Sequence, residues 1–484
     1  MVKKKSLKKK SLKKKSLKKK SLKKRKLKKK SLKNKSLKKK SLKKGGMPDV
    51  YVKLFGFYKN IEIGAKEIKN TYNKKFKPYL TIDNNSAKLQ YGSGKSSYNL
   101  GLHIGQRKLL LSEVQFLNNN TQKYCIYPGS APSHKTHFLS TLFPDVKFIL
   151  IDPNIFEIKI VENNGLFRKQ QHNDIVMLYH GFPTNSLTYS KLKKKKNEII
   201  EKLNDNEIDE MINFIKSSNH KIYIIEDFMT NKLALILKKL GTCNFISDIR
   251  SNVTNTSPVD FDIVWNRSMV HNWISTLQPE ISMVKFRVPY FNESENFDDY
   301  KFAQESFNTS KNLKKGSIDF IAEYKKQKFK MSKATLYLQT WAGPTSTEMR
   351  GWIKKNDIDN IVNYDHSEIE NMLFHYNKIM RVNYHENKFA NKELHFCNCN
   401  DCAIESTIWQ DYIKNICKKV VTAKEIEHYI NITNKVTSRN LKDKHTQTIY
   451  EPLTEKKLTE LINMKNLSTE YGHALNKGNT GIRN

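Results

Sequence analysis

The feature that most limits the possible folds of this chain is a series of short apolar segments that alternate with helical patterns. KYCIYPG, KFILID, KIYIIED and NFISD each have the length and composition of a buried strand, and NKLALILKKLG has the pattern of a helix that ends at Gly241. Strands that alternate with helices favour an α/β fold with a doubly wound, mostly parallel sheet. In such sheets, ligands bind beyond the carboxyl ends of the strands.

One of these strand ends leads into the turn Gly129–Pro132, within the segment YPGSAPSHKTHFL. Asp152 follows Gly129 by 23 residues, the spacing of an acid that hydrogen-bonds ribose hydroxyls. The turn has one glycine where a pyrophosphate-binding turn has two or three, so a dinucleotide is disfavoured. The pattern favours a ligand with a ribose but no phosphate, of which S-adenosylmethionine is the common example. The alternative is a plain α/β core without a ligand here.

Charge favours a polyanionic partner. The chain has 484 residues, enough for one large core or two ordinary ones, and a formal net charge of +40. Residues 1–46 contain an array of SLKKK-like pentapeptides with 26 of the 87 Lys and Arg residues and no acid. Leucines five residues apart share no helical face. The array is therefore either a disordered tail that binds RNA or DNA electrostatically, or a localisation signal.

Other classes of protein are disfavoured. No stretch approaches the roughly 18 apolar residues that a membrane span needs, and the N-terminus lacks the apolar region of a secretory signal. The six cysteines do not resemble a disulfide framework for a chain of this length, which indicates a reducing compartment. Nucleic acid is thus a better candidate partner than membrane.

A cysteine cluster stands near the C-terminal end, in HFCNCNDC. Its four potential zinc ligands are His395, Cys397, Cys399 and Cys402, although C-x-C-x2-C lacks the paired C-x2-C knuckles of stronger zinc signatures. The alternative is a surface turn with reduced cysteines. From Asn431 onward, the polar and basic composition predicts a partly disordered tail.

The chain is predicted to divide into three parts. Residues 1–46 form the Lys-rich array, residues 47–390 form the α/β domain, and residues 391–484 form a C-terminal extension. The region between Phe167 and Ser218 is predicted to be an insertion, covering about 160–220, at the periphery of the sheet. Its basic run Lys191–Lys196 is either a solvated face or an RNA contact.

Four further segments carry polar residues within apolar surroundings. Lys108 lies in GQRKLLLSEVQFL, Asp248 in NFISDIRSN, Lys285 in MVKFRVPYF and Glu348 in GPTSTEMRGW. Each has an ordinary explanation when taken alone: a lysine can extend from a helix end or a strand edge, and an acid can cap a helix or form a salt bridge.

Taken in order, these segments resemble the poxvirus family of cap-specific mRNA 2′-O-methyltransferases, which also act as small regulatory subunits of poly(A) polymerase. YPGSAPSHKTHFL, KFILID, LQPEISMVKFRVPY and IENMLFHYNKIM belong to the same resemblance, which covers residues near 100–380 with 160–220 unmatched. It implies a Rossmann-like, S-adenosylmethionine-dependent methyltransferase fold with peripheral insertions. The length, the array and the C-terminal extension indicate a relative from another large DNA virus, located in the virion or the host cytoplasm.

The resemblance implies that Lys108, Asp248, Lys285 and Glu348 form a catalytic tetrad. A ribose 2′-hydroxyl is a very weak acid, so its attack on the methyl group is helped by a base. Burial and a second nearby ammonium can bring a lysine's pKa down toward neutrality. Lys285 is the candidate base, Lys108 is the neighbouring like charge, and the two acids orient both ammonium groups. This chemistry requires no metal.

The resemblance also implies contacts with S-adenosylmethionine at Gln106, Tyr127, Gly129, Ser133, Asp152 and Met229. The family has a second glycine where this chain has Ser133, which is expected to be tolerated only if its φ is negative. Asn154 stands where the family has an arginine. Met229 is either a wall of the adenine pocket or an ordinary core residue.

For the cap, the resemblance implies binding by Tyr290, Arg287, Asn292 and Glu370. Tyr290 matches one aromatic wall around the methylated guanine, and Glu370 matches the acid that pairs with the guanine edge. Asn292 stands where the family has an acidic residue. The second wall matches Thr345, which is not aromatic; Tyr51, Tyr58 or Trp341 are the candidates to replace it.

Two functions of different class remain. One is an enzyme that methylates the ribose 2′-oxygen of the first transcribed nucleotide of capped mRNA. The other is a non-catalytic RNA-binding processivity subunit, whose partner would be a viral poly(A) polymerase catalytic subunit. The tetrad favours the enzyme, because RNA binding alone does not require two lysines and two acids at these positions.

Overall fold

A computed structural model describes part of the chain, and all structural statements refer to that part. The described residues are 81–82, 86–88, 104–162, 165–168, 172–179, 203–250, 260–288, 328–343, 346–377, 388–391, 393–394, 396 and 400–437. All of them belong to one compact unit, Phe55–Asn484.

The described strands are numbered here in chain order. They are β1 (Thr81–Ile82), β2 (Tyr124–Pro128), β3 (Lys147–Ile151), β4 (Lys159–Glu162), β5 (Gly165–Arg168), β6 (Ile175–Tyr179), β7 (Ile222–Ile225), β8 (Cys243–Ser247), β9 (Ile281–Arg287), β10 (Lys328–Ser332), β11 (Thr335–Tyr337), β12 (Glu348–Lys354) and β13 (Ile361–Asp365).

The described helices are α1 (Gly105–Asn119), α2 (Thr136–Leu142), α3 (Asp205–Ser217), α4 (Asn231–Lys238), α5 (Asp260–Leu277), α6 (His366–His375), α7 (Asn400–Asn415) and α8 (Ala423–Val436). A 3-10 turn, Lys355–Asp357, follows β12. No helix in the described residues is long and apolar enough to cross a membrane.

Nine strands form the main sheet, in the order β1-β11-β12-β9-β8-β2-β3-β7-β6. The strands from β9 to β6 pair in parallel, whereas β12, β11 and β1 are added antiparallel at the other side. Two antiparallel pairs, β4 with β5 and β10 with β13, lie outside this sheet. The result is a mixed α/β fold with a largely parallel central sheet, compatible with a Rossmann-like fold.

The apolar segments of the sequence form the centre of this sheet, as predicted. Strands β2, β3, β7 and β8 are buried along their lengths, because alternate side chains enter two different apolar clusters. Ile126 and Ile149 face one cluster, whereas Tyr127 and Leu150 face the other. Burial on both faces explains why these strands are almost continuous apolar runs.

The predicted helix NKLALILKKLG is also present, as α4. The Thr230 side chain accepts a hydrogen bond from the backbone N–H of Leu233 and caps its N-terminus. The helix ends at Lys238, and Gly241 follows with a φ of +95°, a left-handed conformation that favours glycine.

Part of the region predicted to be an insertion continues the alternation of strands and helices. Strand β6 forms the edge of the main sheet, parallel to β7, and α3 connects the two. A reciprocal capping box between Asn204 and Glu207 starts α3. Its apolar face, which includes Ile208 and Ile215, packs into the same core as β7. Lys191–Lys196 lies outside the described residues.

The C-terminal helices α7 and α8 complete the second apolar cluster. Ile404 and Trp409 of α7 join Ile426 and Ile430 of α8 in that core. The prediction of a disordered tail from Asn431 is therefore wrong for residues 431–436, because α8 continues through them with its apolar face buried. The residues after 437 lie outside the described part of the chain.

Candidate active site

The structure brings Lys108, Asp248, Lys285 and Glu348 together in one cluster of ion pairs. Lys108 Nζ lies 2.5 Å from Glu348 Oε1, and Lys285 Nζ lies 3.0 Å from Asp248 Oδ1. Lys285 Nζ is also 3.6 Å from Glu348 Oε2, so the Glu348 carboxylate bridges the two ammonium groups. The predicted tetrad is thus a real spatial cluster of two lysines and two acids.

Strand pairing explains why these residues meet. The parallel register of β8 and β9 places Ser247 opposite Val284, so the next residues, Asp248 and Lys285, are neighbours at the carboxyl edge. Glu348 begins β12, which pairs antiparallel with β9, and Lys108 is in the first turn of α1. Each side chain is held by an element anchored in the core.

A fifth residue, Arg350, belongs to the cluster and was missed from the sequence. It lies two residues after Glu348 on β12, so both side chains point to the same face. Arg350 Nη1 is 2.9 Å from Asp248 Oδ1, and Nη2 is 3.7 Å from Glu348 Oε1. Arg350 is also the direct cross-strand partner of Lys285. The shared Asp248 oxygen offsets the repulsion between these two opposed cations.

Burial and neighbouring charges shift the pKa values of the residues in the cluster. Burial lowers the pKa of Lys108, and the nearby Arg350 and Lys285 add to this effect against the attraction of Glu348. Burial works against the ionised form of Glu348, but the charges of Lys108, Lys285 and Arg350 hold its pKa well below the usual range. Asp248 behaves in the same way, with burial outweighed by Lys285 and Arg350. Both acids are therefore anionic at neutral pH.

Lys285 reaches a cavity that opens next to the cluster. Its side chain is 13% exposed, and it is the member of the cluster that lines this cavity. Three arginines line the same space, and none of the described lining residues is acidic. The complete lining consists of Ile249, Arg250, Ile263, Asn266, Arg267, Val270, Lys285, Phe286, Arg287 and Met331. The cavity is therefore suited to an anionic group beside the Lys285 amine.

The turn after β2 lies where the order of strands reverses. The chain runs from β2 outward through β3 and later returns to β8 on the opposite side of β2, which is the usual ligand position in such sheets. Gly129 has a φ of +75°, and a Cβ at this position would lie 2.4 Å from the backbone nitrogen of Ile249. The single glycine thus lets this turn pack directly against the segment that carries Asp248.

We expect Gly129→Ala to be much more damaging than Gly241→Ala. Both substitutions place alanine at positive φ, which costs about 1–2 kcal/mol, but a Cβ at Gly241 meets nothing within 4 Å. At Gly129, collision with backbone atoms should add about 1–3 kcal/mol and displace Asp248. Urea denaturation of the two variants measures this difference. Equal losses of stability would show that the close contact of the turn is unimportant.

Ser133 corrects one expectation from the sequence. Its φ was expected to be negative, but it is +59°, in the left-handed region. The Ser133 hydroxyl forms a 2.5 Å hydrogen bond with the Thr136 hydroxyl, and the Ser133 carbonyl accepts from the Thr136 N–H. These two contacts at the start of α2 offset the cost of the conformation. Serine can therefore stand where the resembled family has glycine.

Asp152 follows β3 and connects two loops at the same edge. Its Oδ2 accepts from the Ala131 N–H at 3.2 Å, and its Oδ1 accepts from both the backbone and side-chain nitrogens of Asn154 at 2.9 Å. Burial raises the pKa of Asp152 to about 6, against the lowering effect of these hydrogen bonds. Asn154, which stands where the resembled family has arginine, thus stabilises the Asp152 carboxylate.

The other three residues predicted to contact the cofactor differ in their burial. Tyr127 is buried, and its hydroxyl donates to Glu113 of α1 at 2.5 Å. Met229 is buried in the core beyond the end of β7, as the core interpretation predicts. Gln106 is exposed on the first turn of α1.

The predicted cap-binding residues are only partly described. Arg287 lines the cavity beside Lys285, and Glu370 is half-buried on α6. Tyr290 and Asn292 lie outside the described residues.

One of the three aromatic candidates for the second wall of the cap pocket is excluded. Trp341 is wrong as a candidate, because it is fully buried and its indole N–H donates to Glu405 Oε2 at 2.8 Å. Thr345, Tyr51 and Tyr58 lie outside the described residues.

The cysteine cluster is described only at Cys402. This residue is on α7 with no exposed surface, packed in the second apolar cluster, so the alternative of a surface turn is wrong for it. It is a free thiol. The remaining three potential zinc ligands, His395, Cys397 and Cys399, lie outside the described residues.

Comparison with known proteins adds no relative. No protein-family model matches the chain, and no curated protein matches it significantly. The geometry of the cluster and the fold must therefore carry any functional conclusion.

Proposed function

We propose that this protein transfers a methyl group from S-adenosylmethionine to the ribose 2′-oxygen of the first transcribed nucleotide of capped mRNA. The observation that carries this proposal is the cluster of Lys108, Asp248, Lys285 and Glu348, which lies at the carboxyl edge of a largely parallel sheet. A buried network of this size is costly unless its charges are paired, and here the member of the tetrad that lines the described cavity is a lysine.

The residues at the strand ends fit a nucleoside with a ribose. Asp152 provides a buried carboxylate beside the Gly129 turn. Among the described residues, the Ser130 hydroxyl oxygen in the same turn is buried without a hydrogen-bond partner, so this hydroxyl could form a hydrogen bond with a bound ligand. S-adenosylmethionine, when bound, supplies an activated methyl group on a sulfonium. Asp152 and the Gly129 turn would hold its nucleoside.

Within this proposal, Lys285 Nζ accepts the proton of the 2′-hydroxyl. Asp248 and Glu348 fix the Lys285 side chain from two directions at 3.0 and 3.6 Å, so the amine has little freedom to leave the cavity. Holding a reactive group in place in this way removes much of the entropic cost of the reaction. Lys108 and Arg350 lie behind it, buried, and balance the two acids.

The cavity supports RNA as the substrate class. Arg250, Arg267 and Arg287 surround the space beside Lys285, and guanidinium groups bind phosphate oxygens in bidentate pairs. Phosphates held there would keep the adjoining ribose near Lys285. The 26 positive charges of residues 1–46 would add an electrostatic attraction for RNA.

The non-catalytic alternative, an RNA-binding subunit that partners a poly(A) polymerase, is less well supported. RNA binding explains the three arginines of the cavity, but it gives no reason to bury Lys108 and Glu348 in a 2.5 Å ion pair behind them. Incubation with labelled S-adenosylmethionine and either capped or uncapped RNA separates the two functions. The proposal expects label in the capped RNA alone; a protein that binds both RNAs and labels neither is the RNA-binding subunit.

Affinity for S-adenosylmethionine should fall as the pH drops through about 6. The ribose hydroxyls donate to the Asp152 carboxylate, and this group has a pKa of about 6 in the ligand-free protein. Above that value the carboxylate is present and affinity is constant; below it, protonation competes and affinity falls by up to about tenfold per pH unit. Calorimetric titrations between pH 5 and pH 7 measure the dissociation constant directly.

Asp152→Asn is the control for this pH dependence. It should bind S-adenosylmethionine more weakly at pH 7 and show a flatter profile below pH 6, because the titrating carboxylate is gone. If wild type binds equally well at pH 5 and pH 7, Asp152 is not the ribose acceptor.

A further inference from the structure

Two histidines and an acid outside the active site converge on one point. His137 is the second residue of α2, while His172 and Asp174 immediately precede β6. Asp174 Oδ2 lies 3.7 Å from His137 Nε2 and 3.5 Å from His172 Nδ1. One potential ligand atom from each residue lies within 4.8 Å of the other two.

These distances are those of metal ligands rather than of direct hydrogen bonds. Hydrogen bonds between nitrogen and oxygen are about 2.7–3.2 Å long. A tetrahedral zinc ion with bonds of about 2.1 Å places its ligand atoms about 3.4 Å apart. The two separations to Asp174 Oδ2 need to shrink by only a few tenths of an ångström to fit that geometry. Zinc bound at His172 Nδ1 would replace the hydrogen bond that this nitrogen accepts from the Asp174 N–H at 3.2 Å.

The surroundings also suit a divalent ion. His137 is buried, while His172 and Asp174 are partly exposed, so an ion could enter from the side of β6. The imidazole ring centroids are 4.9 Å apart and the rings are nearly perpendicular, while one nitrogen of each ring lies within 4.8 Å of the other and of the Asp174 carboxylate. Two imidazoles and one carboxylate are a usual ligand set for zinc, with water in the fourth position.

We propose that His137, His172 and Asp174 form a zinc site that joins α2 to the edge of the main sheet. Helix α2 directly follows the turn that contains Gly129 and Ser133, so the ion would fix the position of that turn from behind. The site is independent of the proposed methyl transfer, and the ion takes no part in that reaction. Its effect would be on the stability of this part of the fold.

The test uses full-length protein freed of metal with a chelator and then titrated with zinc. Since Cys397 and Cys399 could also bind zinc, both are first replaced by serine. Calorimetry should then show one zinc ion per chain, and the melting temperature should rise with zinc concentration. Absence of saturable zinc binding in this background overturns the proposal.

Three single substitutions in the same background locate the ion. His172→Ala and Asp174→Asn change partly exposed side chains, and each should raise the zinc dissociation constant at least about tenfold. Their melting temperatures without zinc should equal that of the metal-free parent, which separates ligand loss from misfolding. His134→Ala is the matched control, because His134 pairs with Glu157 at 3.1 Å and is not a member of the cluster. Zinc affinity that is unchanged by both ligand substitutions, or equally reduced by the control, also contradicts the site.

Discussion

Replacement of Lys285 by alanine is expected to lower the rate of methyl transfer to capped RNA by about 10²- to 10⁴-fold, the usual contribution of a general base. The S-adenosylmethionine dissociation constant should change little, since Lys285 lines the cavity with the three arginines, whereas the proposed nucleoside contacts are at the Gly129 turn and Asp152. Single-turnover rates and calorimetry on the same preparation measure the two quantities separately.

Lys285→Arg distinguishes a base from a positive charge that only orients the substrate. Arginine keeps the charge and can still pair with Asp248, but it stays protonated at any pH that the protein tolerates. A base therefore cannot be replaced by arginine, and this variant should be as inactive as alanine. Lys355→Ala is the control, because Lys355 forms an exposed pair with Glu280 at 2.8 Å far along the sheet from the cavity. Activity close to wild type in Lys285→Arg would assign the proton transfer to another group.

Glu405→Gln is expected to cost about 3–5 kcal/mol of folding stability, because it leaves Arg107 as a buried, uncompensated charge. Both Glu405 oxygens bind Arg107, at 2.5 and 2.7 Å, and neither side chain has any exposed surface. Trp341 also donates to this carboxylate. Glutamine preserves the size of the side chain, so the loss reports on charge rather than on a new cavity. Urea denaturation followed by circular dichroism gives the change in the free energy of unfolding.

Asp209→Asn provides the matched comparison. Its pair with Lys239 has a similar length, 2.8 Å, but both side chains are about half exposed. Exposed pairs contribute only about 0–1 kcal/mol, so this variant should unfold nearly as wild type does. If the Glu405 and Asp209 variants lose the same small amount, the C-terminal helices are not anchored to α1 through Arg107.

The buried pair of Arg107 and Glu405 also bears on the position of the candidate active site. Arg107 and Lys108 are adjacent on α1, but they bind different acids. Arg107 pairs with Glu405 on α7, and Lys108 pairs with Glu348 on β12. The C-terminal helices therefore help to fix the helix that presents Lys108. This connection could not be read from the sequence, because nearly 300 residues separate Arg107 from Glu405.

The centre of the fold could be predicted from the sequence because its strands are buried on both faces. Such strands are short apolar runs that can be recognised from their own residues, without knowing which strands they pair with. The sequence predicts β2, β3, β7 and β8 on this basis. The four clustered residues were named from a resemblance of segments, and strand pairing explains why they meet. Their chemical roles stay predictions.

What the sequence could not provide depends on specific contacts, most of them between residues that are far apart in the chain. Arg350 is a charged residue in a strand, which commonly means an exposed edge; only the pairing of β12 with β9 shows that it is buried against Asp248. The left-handed conformation of Ser133 depends on a contact with the Thr136 hydroxyl. His137 and His172 carry no recognisable spacing, because the helix and the sheet edge that bring them together belong to different parts of the chain.

The most direct test of the proposed function is the atom that receives the methyl group. Two capped RNAs of identical sequence are compared as substrates, one with an ordinary ribose at the first transcribed nucleotide and one with a 2′-deoxyribose there. Purified protein and labelled S-adenosylmethionine should methylate the first RNA and leave the second unlabelled, because the accepting oxygen is missing. Equal labelling of both RNAs would contradict transfer to the ribose 2′-oxygen.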